Sequence, residues 1–210
     1  MYDEGYIRYT HIRNLAWKLL LKHEVRSLPV DARALAEASD VRVMRYEDAE
    51  ALIEACGLEK VQRENRAFSV YTDCWRILYD DNSRAPMFAI AHELAHILLK
   101  HPMKQKKVGF FTAHYTDYNQ GSVTFLADEQ DADKFAVRLL APACILHRLK
   151  MADTETIAEL CGLPRRDAYE RSERLKQLVQ RNHFFSHKDE EEVYDQFYPY
   201  MEKNPEFFSV

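Results

Sequence analysis

Apolar residues recur at helical spacing near the start of this chain. Ile12, Leu15, Ala16, Leu19 and Leu20, with Trp17 beside them, predict a packing helix over residues 7–23. Pro29-Val30-Asp31 opens a second helix that runs through Ala38 with Leu35 inward. Residues 41–46 alternate weakly and read as a strand, and residues 48–56 as a short helix stopped by Gly57, which tolerates the left-handed cap. Two runs rich in β-branched and aromatic residues, 67–71 and 74–79, flank Thr72-Asp73 and predict a hairpin. The second of these strands is the candidate for an exposed edge on which an extended peptide could pair.

After Asn82-Ser83-Arg84-Ala85-Pro86 the pattern becomes almost wholly apolar from Met87 to Leu99, which predicts a helix buried on most sides. Residues 102–124 are the least regular central stretch and read as a loop beside the site. Residues 126–140 return to helical periodicity and are closed by Ala141-Pro142. Residues 154–175 have a helix–turn–helix rhythm about Gly162, and residues 183–210 are acidic and aromatic. The expected fold class is α+β, mainly helical, with a small sheet beside the central helix. The chain divides by character into residues 1–64, 65–150 and 151–210.

The central helix carries the chemistry. His92-Glu93-Leu94-Ala95-His96 spells H-E-x-x-H. Residues four apart lie one above the other on a helix face. Two imidazoles placed so can share one zinc ion at about 2.1 Å. Glu93 falls about 100° from His92 and 60° from His96 around the helix, beside the metal, where it can take a proton from water. Burying His and Glu in so apolar a helix is costly unless they are paired or bound to metal.

A third protein ligand is needed, with a fourth position left for water. Asp128, Glu129, Asp131 and Asp133 lie on the downstream helix. Leu126, Ala132, Phe135, Ala136, Leu139 and Leu140 define an apolar arc that takes in Glu129 and Asp133 and leaves Asp131 with Lys134 and Arg138 on the solvent side. Glu129 is therefore the expected third ligand. Asp133 is the expected acceptor from a ligand imidazole, and Asp131 is expected at the surface. In the stretch 102–124, His114, Tyr115 and Tyr118 are candidate donors to an oxyanion.

The 210 residues are 47% hydrophobic, enough for a folded core, and carry a net charge of −5 that gives no general attraction to nucleic acid. Arg165, Arg166, Arg171 and Arg174 make a local basic helix, diluted by Glu170 and Glu173. No direct nucleic-acid contact is expected. No apolar run is long enough to span a membrane, and the acidic start Met1-Tyr2-Asp3-Glu4 is unlike a signal peptide. Cys56, Cys74, Cys144 and Cys161 have no metal-binding spacing and read as free thiols in a reducing cytoplasm. The sequence carries no signal for an oligomeric state.

His92-Glu93-Leu94-Ala95-His96-Ile97-Leu98-Leu99, followed by Glu129-x-x-Ala132-Asp133-x-Phe135-Ala136-x-x-Leu139-Leu140-x-Pro142, resembles the ImmA/IrrE family of metallo-endopeptidases. The likeness covers about residues 65–142; Ala95 and Ala141 stand where many members have Gly and Met. The resemblance implies a zincin-like core, one Zn2+ held by His92, His96 and Glu129, and Glu93 as catalytic base. It also implies a cytoplasmic protein substrate, in particular a helix-turn-helix repressor of a phage or mobile element. Two other roles fit the same residues: a non-proteolytic anti-repressor that sequesters its target, and a DNA-binding regulator with structural zinc.

Overall fold

The computed structural model describes residues 4–108, 111–115 and 123–204, with side chains described over 8–103 and 126–204. In chain order the elements are α1 (Glu4–Lys22), α2 (Ala32–Glu37), β1 (Arg42–Arg45), α3 (Glu50–Cys56), α4 (Glu59–Glu64), β2 (Ala67–Tyr71), β3 (Trp75–Tyr79), α5 (Pro86–Leu98), β4 (Lys104–Val108), β5 (Phe111–Tyr115), α6 (Val123–Leu140), α7 (Ala143–Arg148), α8 (Thr154–Cys161), α9 (Arg165–Gln180) and α10 (Lys188–Lys203). The chain is thus α+β and mainly helical with a small sheet. It forms two compact units, one of residues 31–132 and one of residues 1–30 with 133–210, so the units cut across the division at 64 and 150 that the sequence suggests.

The unit of residues 31–132 is built on a five-stranded sheet in the order β1-β3-β2-β5-β4. β1 runs parallel to β3; β2 is antiparallel to β3 through the expected hairpin, with Ser69 opposite Ile77 and Phe68 opposite Leu78. Alternation then sorts the side chains. Phe68, Val70 and Leu78 join Ala49, Ile53, Cys56 and Leu58 in one buried cluster. Ser69 and Ile77 point to the other face, and α5 packs against β2, β3 and α2. Phe68 is fully buried; truncating such a side chain costs about 3–5 kcal/mol. Asp31 caps α2 by accepting from the Ala34 amide at 3.0 Å, and Gly57 ends α3 at φ 60.

Two expectations change here. β3 lies between β1 and β2, so it offers no free edge for a peptide; among the described strands the edges are β1 and β4. The pattern of residues 74–79 showed a strand but not its neighbours, since β1 reaches β3 by a crossover. The described part of residues 102–124 is also more regular than expected: β4 and β5 pair antiparallel, Lys104 opposite Tyr115 and Val108 opposite Phe111. Strand propensity was masked by Lys104, Lys106 and Lys107 on an edge strand, where charge is common.

The other unit is helical. α1 packs against α10, and Gln196 Nε2 donates to the carbonyls of Leu20 and Val25 at 2.9 and 2.7 Å, satisfying acceptors at and beyond the α1 C-terminus. α8 and α9 form the expected helical pair, turned by Gly162 at φ 63. Arg171 is not on a basic outer face: it is buried, and its guanidinium donates to the Ala141 carbonyl at the end of α6. Arg165 pairs with Glu155 at 2.7 Å and Arg166 with Glu170 at 3.3 Å. Of the α9 arginines, Arg171 thus serves the fold, while Arg165 and Arg166 are exposed and paired with acidic neighbours. No helix among the described residues is long and apolar enough to cross a membrane. All four cysteines are free, three of them buried.

Candidate metal centre

Pro86 stands in the first turn of α5, where its missing amide hydrogen costs nothing. From there the helix carries His92, Glu93 and His96 into the interior; Glu93 is 1% exposed and His96 2%. α6 brings Glu129 to the two histidines. His92 Nε2 lies 3.0 Å from His96 Nε2 and 3.2 Å from Glu129 Oε2, and His96 Nε2 lies 3.3 Å from Glu129 Oε1. Among the described residues, these three side chains form a group that could hold a metal ion, each giving one ligand atom and all within 4.8 Å of one another.

The donor set fits a small cation. Ligands about 2.1 Å from a tetrahedral centre stand about 3.4 Å apart, so the atoms need to open by only a few tenths of an ångström. Glu129 Oε1 is buried and accepts no hydrogen bond. A buried carboxylate with one oxygen against each imidazole nitrogen, and no hydrogen bond to Oε1, is costly unless a cation is shared among them. Burial first, then the neighbouring His92 and His101, push the His96 imidazole down to about 2, which keeps it neutral as a ligand must be.

Glu93 points to the sheet side of α5. Ser69 Oγ, on β2 and fully buried, donates to Glu93 Oε2 at 2.9 Å. One carboxylate oxygen is thereby fixed to the sheet. Tyr46 is a further neighbour: burial, then the negative charges of Glu93 and Asp80, hold its phenol protonated well above the ordinary range, and its hydroxyl donates to the Asn65 carbonyl at 3.0 Å. A cleft of about 540 Å3 opens beside His96, walled by Tyr71, Trp75, Ile97, Lys100 and Met103.

Placement of the remaining candidates is mixed. Asp131 is not at the surface: it is 4% exposed, with partners. Leu126 is the reason for the error. It is 56% exposed, and counting it as apolar drew the arc the wrong way around α6. Without it the buried positions Asp131, Ala132, Phe135, Ala136, Leu139 and Leu140 span about 180° at 100° per residue, with Asp131 at one border and Glu129 just inside the other. Asp133 is half-buried and contributes, after burial, to raising the Asp167 carboxyl to about 6. The register sets His114 opposite Tyr71 and Tyr115 opposite Val70, next to Ser69 in β2. Their side chains, and Tyr118 altogether, lie outside the described residues.

Ser69 and His101, whose ring meets His96, were not anticipated. A lone serine inside the apolar run Ala67-Phe68-Ser69-Val70 was the available signal for the first. The chain matches no protein-family model, no curated protein and no solved structure.

Proposed function

We propose that this chain is a zinc-dependent endopeptidase of the ImmA/IrrE type, with a zincin-like core. The observation that carries the reading is the convergence of His92, His96 and Glu129 with a buried Glu93 anchored beside them by Ser69. The family reading rests on the resemblance of the two sequence motifs, and it is supported by the proximity of His92 and His96 from the first to Glu129 from the second. When bound, zinc supplies a Lewis acid for a peptide carbonyl and an acidified water.

The protein's own residues do the rest. Glu93, with Oε2 held by Ser69, is the carboxylate that takes a proton from the attacking water. The new C–O bond forms as that proton is stored on the carboxylate. It then passes to the departing amine nitrogen as the C–N bond breaks. The cleft beside His96, lined by Tyr71 and Trp75, is suited to hold the side chain of a residue near the scissile bond. The substrate we favour is a cytoplasmic repressor, as the resemblance implies. Burial of Arg171, and the pairing of the exposed Arg165 and Arg166 with Glu155 and Glu170, leave α9 less basic than its sequence and favour the peptidase reading over the DNA-binding alternative.

Elemental analysis of the purified chain should give one zinc, lost in His92→Ala and His96→Ala. Glu93→Gln should keep zinc and lower hydrolysis of a peptide library by about 10²–10⁴-fold, because an amide cannot take the proton. Full zinc retention in both histidine variants refutes the site. If Glu93→Gln relieves repression as well as the wild type does, sequestration replaces proteolysis.

A further inference from the structure

The end of α5 delivers a third imidazole to the metal centre. Leu99 is the C-cap and Lys100 follows in the left-handed region at φ 57. The Lys100 amide donates to the Ile97 carbonyl at 3.2 Å, and the His101 amide reaches back to the His96 carbonyl at 3.0 Å. Those two bonds make a Schellman motif. The motif brings the second residue past the cap against the third residue from the helix end, most often as an apolar contact. Here the two residues are His101 and His96.

Their contact is polar. His101 Nδ1 lies 3.0 Å from His96 Nδ1, with the rings edge to face at 76° and 4.9 Å between centroids. His96 Nε2 faces the opposite way, toward His92 and Glu129. His101 Nε2 faces Asp128 Oδ1 at 3.9 Å. The His101 side chain is 8% exposed, so its ring is held rather than solvated. Asp128 immediately precedes Glu129 on α6.

We propose that His101 is a positioning residue that fixes the tautomer and ring angle of His96 for metal binding, and that Asp128 orients His101. The inference rests on the metal reading above. Counting protons gives its direction. A hydrogen bond between two Nδ1 atoms contains one proton. A ligating Nε2 must be bare, so neutral His96 carries its proton on Nδ1 and donates it to His101. His101 then accepts at Nδ1 and carries its own proton on Nε2, facing the Asp128 carboxylate. The separation of 3.9 Å is longer than a direct hydrogen bond. The carboxylate still favours that tautomer through its charge. The reverse register puts the His96 proton on Nε2, where it blocks the metal.

The cap geometry explains the spacing His96-x-x-x-x-His101. No side chain within α5 itself can reach His96 Nδ1 from beyond the helix end, whereas the second residue past a Schellman cap is folded back over it. Lys100 occupies the position where glycine is usual, which supplies a control: Lys100→Gly keeps the cap and leaves both histidines in place.

The test is zinc affinity of the full chain by competition with a chromophoric chelator, alongside long-range 1H–15N spectra of the zinc-loaded protein. His101→Phe keeps a ring and removes the acceptor; affinity should fall about 10–100-fold. His101→Asn presents an oxygen near the lost Nδ1 and should stay within about threefold of wild type. Lys100→Gly should match wild type. The spectra should show the proton on His96 Nδ1 and on His101 Nε2. Equal affinity for wild type and His101→Phe overturns the proposal while leaving the metal site standing. An Asn variant as weak as the Phe variant, or a proton found on His101 Nδ1, overturns it too. A wild-type chain that binds no zinc removes the metal reading and this inference together. Should His101→Phe fail to fold, the Asn variant and the proton positions still decide.

Discussion

Ser69→Ala is the sharpest probe of how β2 serves the site. Ser69 is fully buried, Glu93 is 1% exposed, and their oxygens are 2.9 Å apart. A hydrogen bond to an ionised group is worth about 1.5–3 kcal/mol, against about 0.5–1.5 kcal/mol for a neutral pair. With metal removed by a chelator, Ser69→Ala should lower the unfolding free energy by about 1.5–3 kcal/mol in the wild-type background. In the Glu93→Gln background the acceptor is a neutral amide, and the same change should cost about 0.5–1.5 kcal/mol. The two substitutions should therefore couple by about 1 kcal/mol in a double-mutant cycle. Urea denaturation of the four proteins measures it. Zinc content should be unchanged throughout, because Ser69 touches none of the three ligand side chains in the contacts seen here. Hydrolysis should fall by up to about 10²-fold as the carboxylate loses its anchor. Equal losses in both backgrounds would show that Ser69 is only a small residue filling space under α5.

Asp131→Ala should destabilise the fold by about 1–3 kcal/mol, since a buried, engaged carboxylate leaves its partners without an acceptor; zinc stoichiometry should stay at the wild-type value, and an unchanged melting curve would sink the expectation. Asp167 has its carboxyl raised to about 6 by burial, then by Asp133 and Glu170. A raised carboxyl binds its proton more tightly folded than unfolded, so stability declines as pH rises from about 4 through 6. Asp167→Asn should accordingly melt higher than wild type at pH 8, with the gap closing below about pH 4; a gap that widens in acid would reverse the sign. The isolated protein should give no sequence-specific DNA footprint, given that Arg165 and Arg166 already pair with Glu155 and Glu170; a footprint abolished by Arg165→Ala with Arg166→Ala would refute this.

What could be read in advance follows from where each interaction lives. His92, Glu93 and His96 share one helix, so periodicity alone fixes their relative directions. Glu129 needed only a second helix and an inward face. The inward face was judged by apolar residues, and Leu126 shows how one exposed leucine at a helix end biases that judgement; Asp131 was misplaced for that reason. Gly57 and Gly162 announced their turns because left-handed backbone favours glycine. The cap at Lys100 did not, because a lysine occupies the same conformation at φ 57.

Ser69 marks the deeper limit. It meets Glu93 across 24 residues of chain, and that meeting depends on β2 lying between β3 and β5 with its odd-numbered residues turned to α5. Parity along β2 could be guessed from sequence, since Phe68 and Val70 alternate with Ser69. Which face α5 would cover could not, because both faces of β2 are buried and neither is polar enough to point outward. A strand covered on both sides loses the alternation that assigns faces. The one polar residue on such a strand therefore carries information that its apolar neighbours do not: a hydroxyl is costly in a dry layer unless an acceptor waits there. For this chain the acceptor is the proposed catalytic carboxylate. The serine is thus best understood as the sheet's contribution to the proposed site, made from the strand while α5 and α6 supply the candidate ligands.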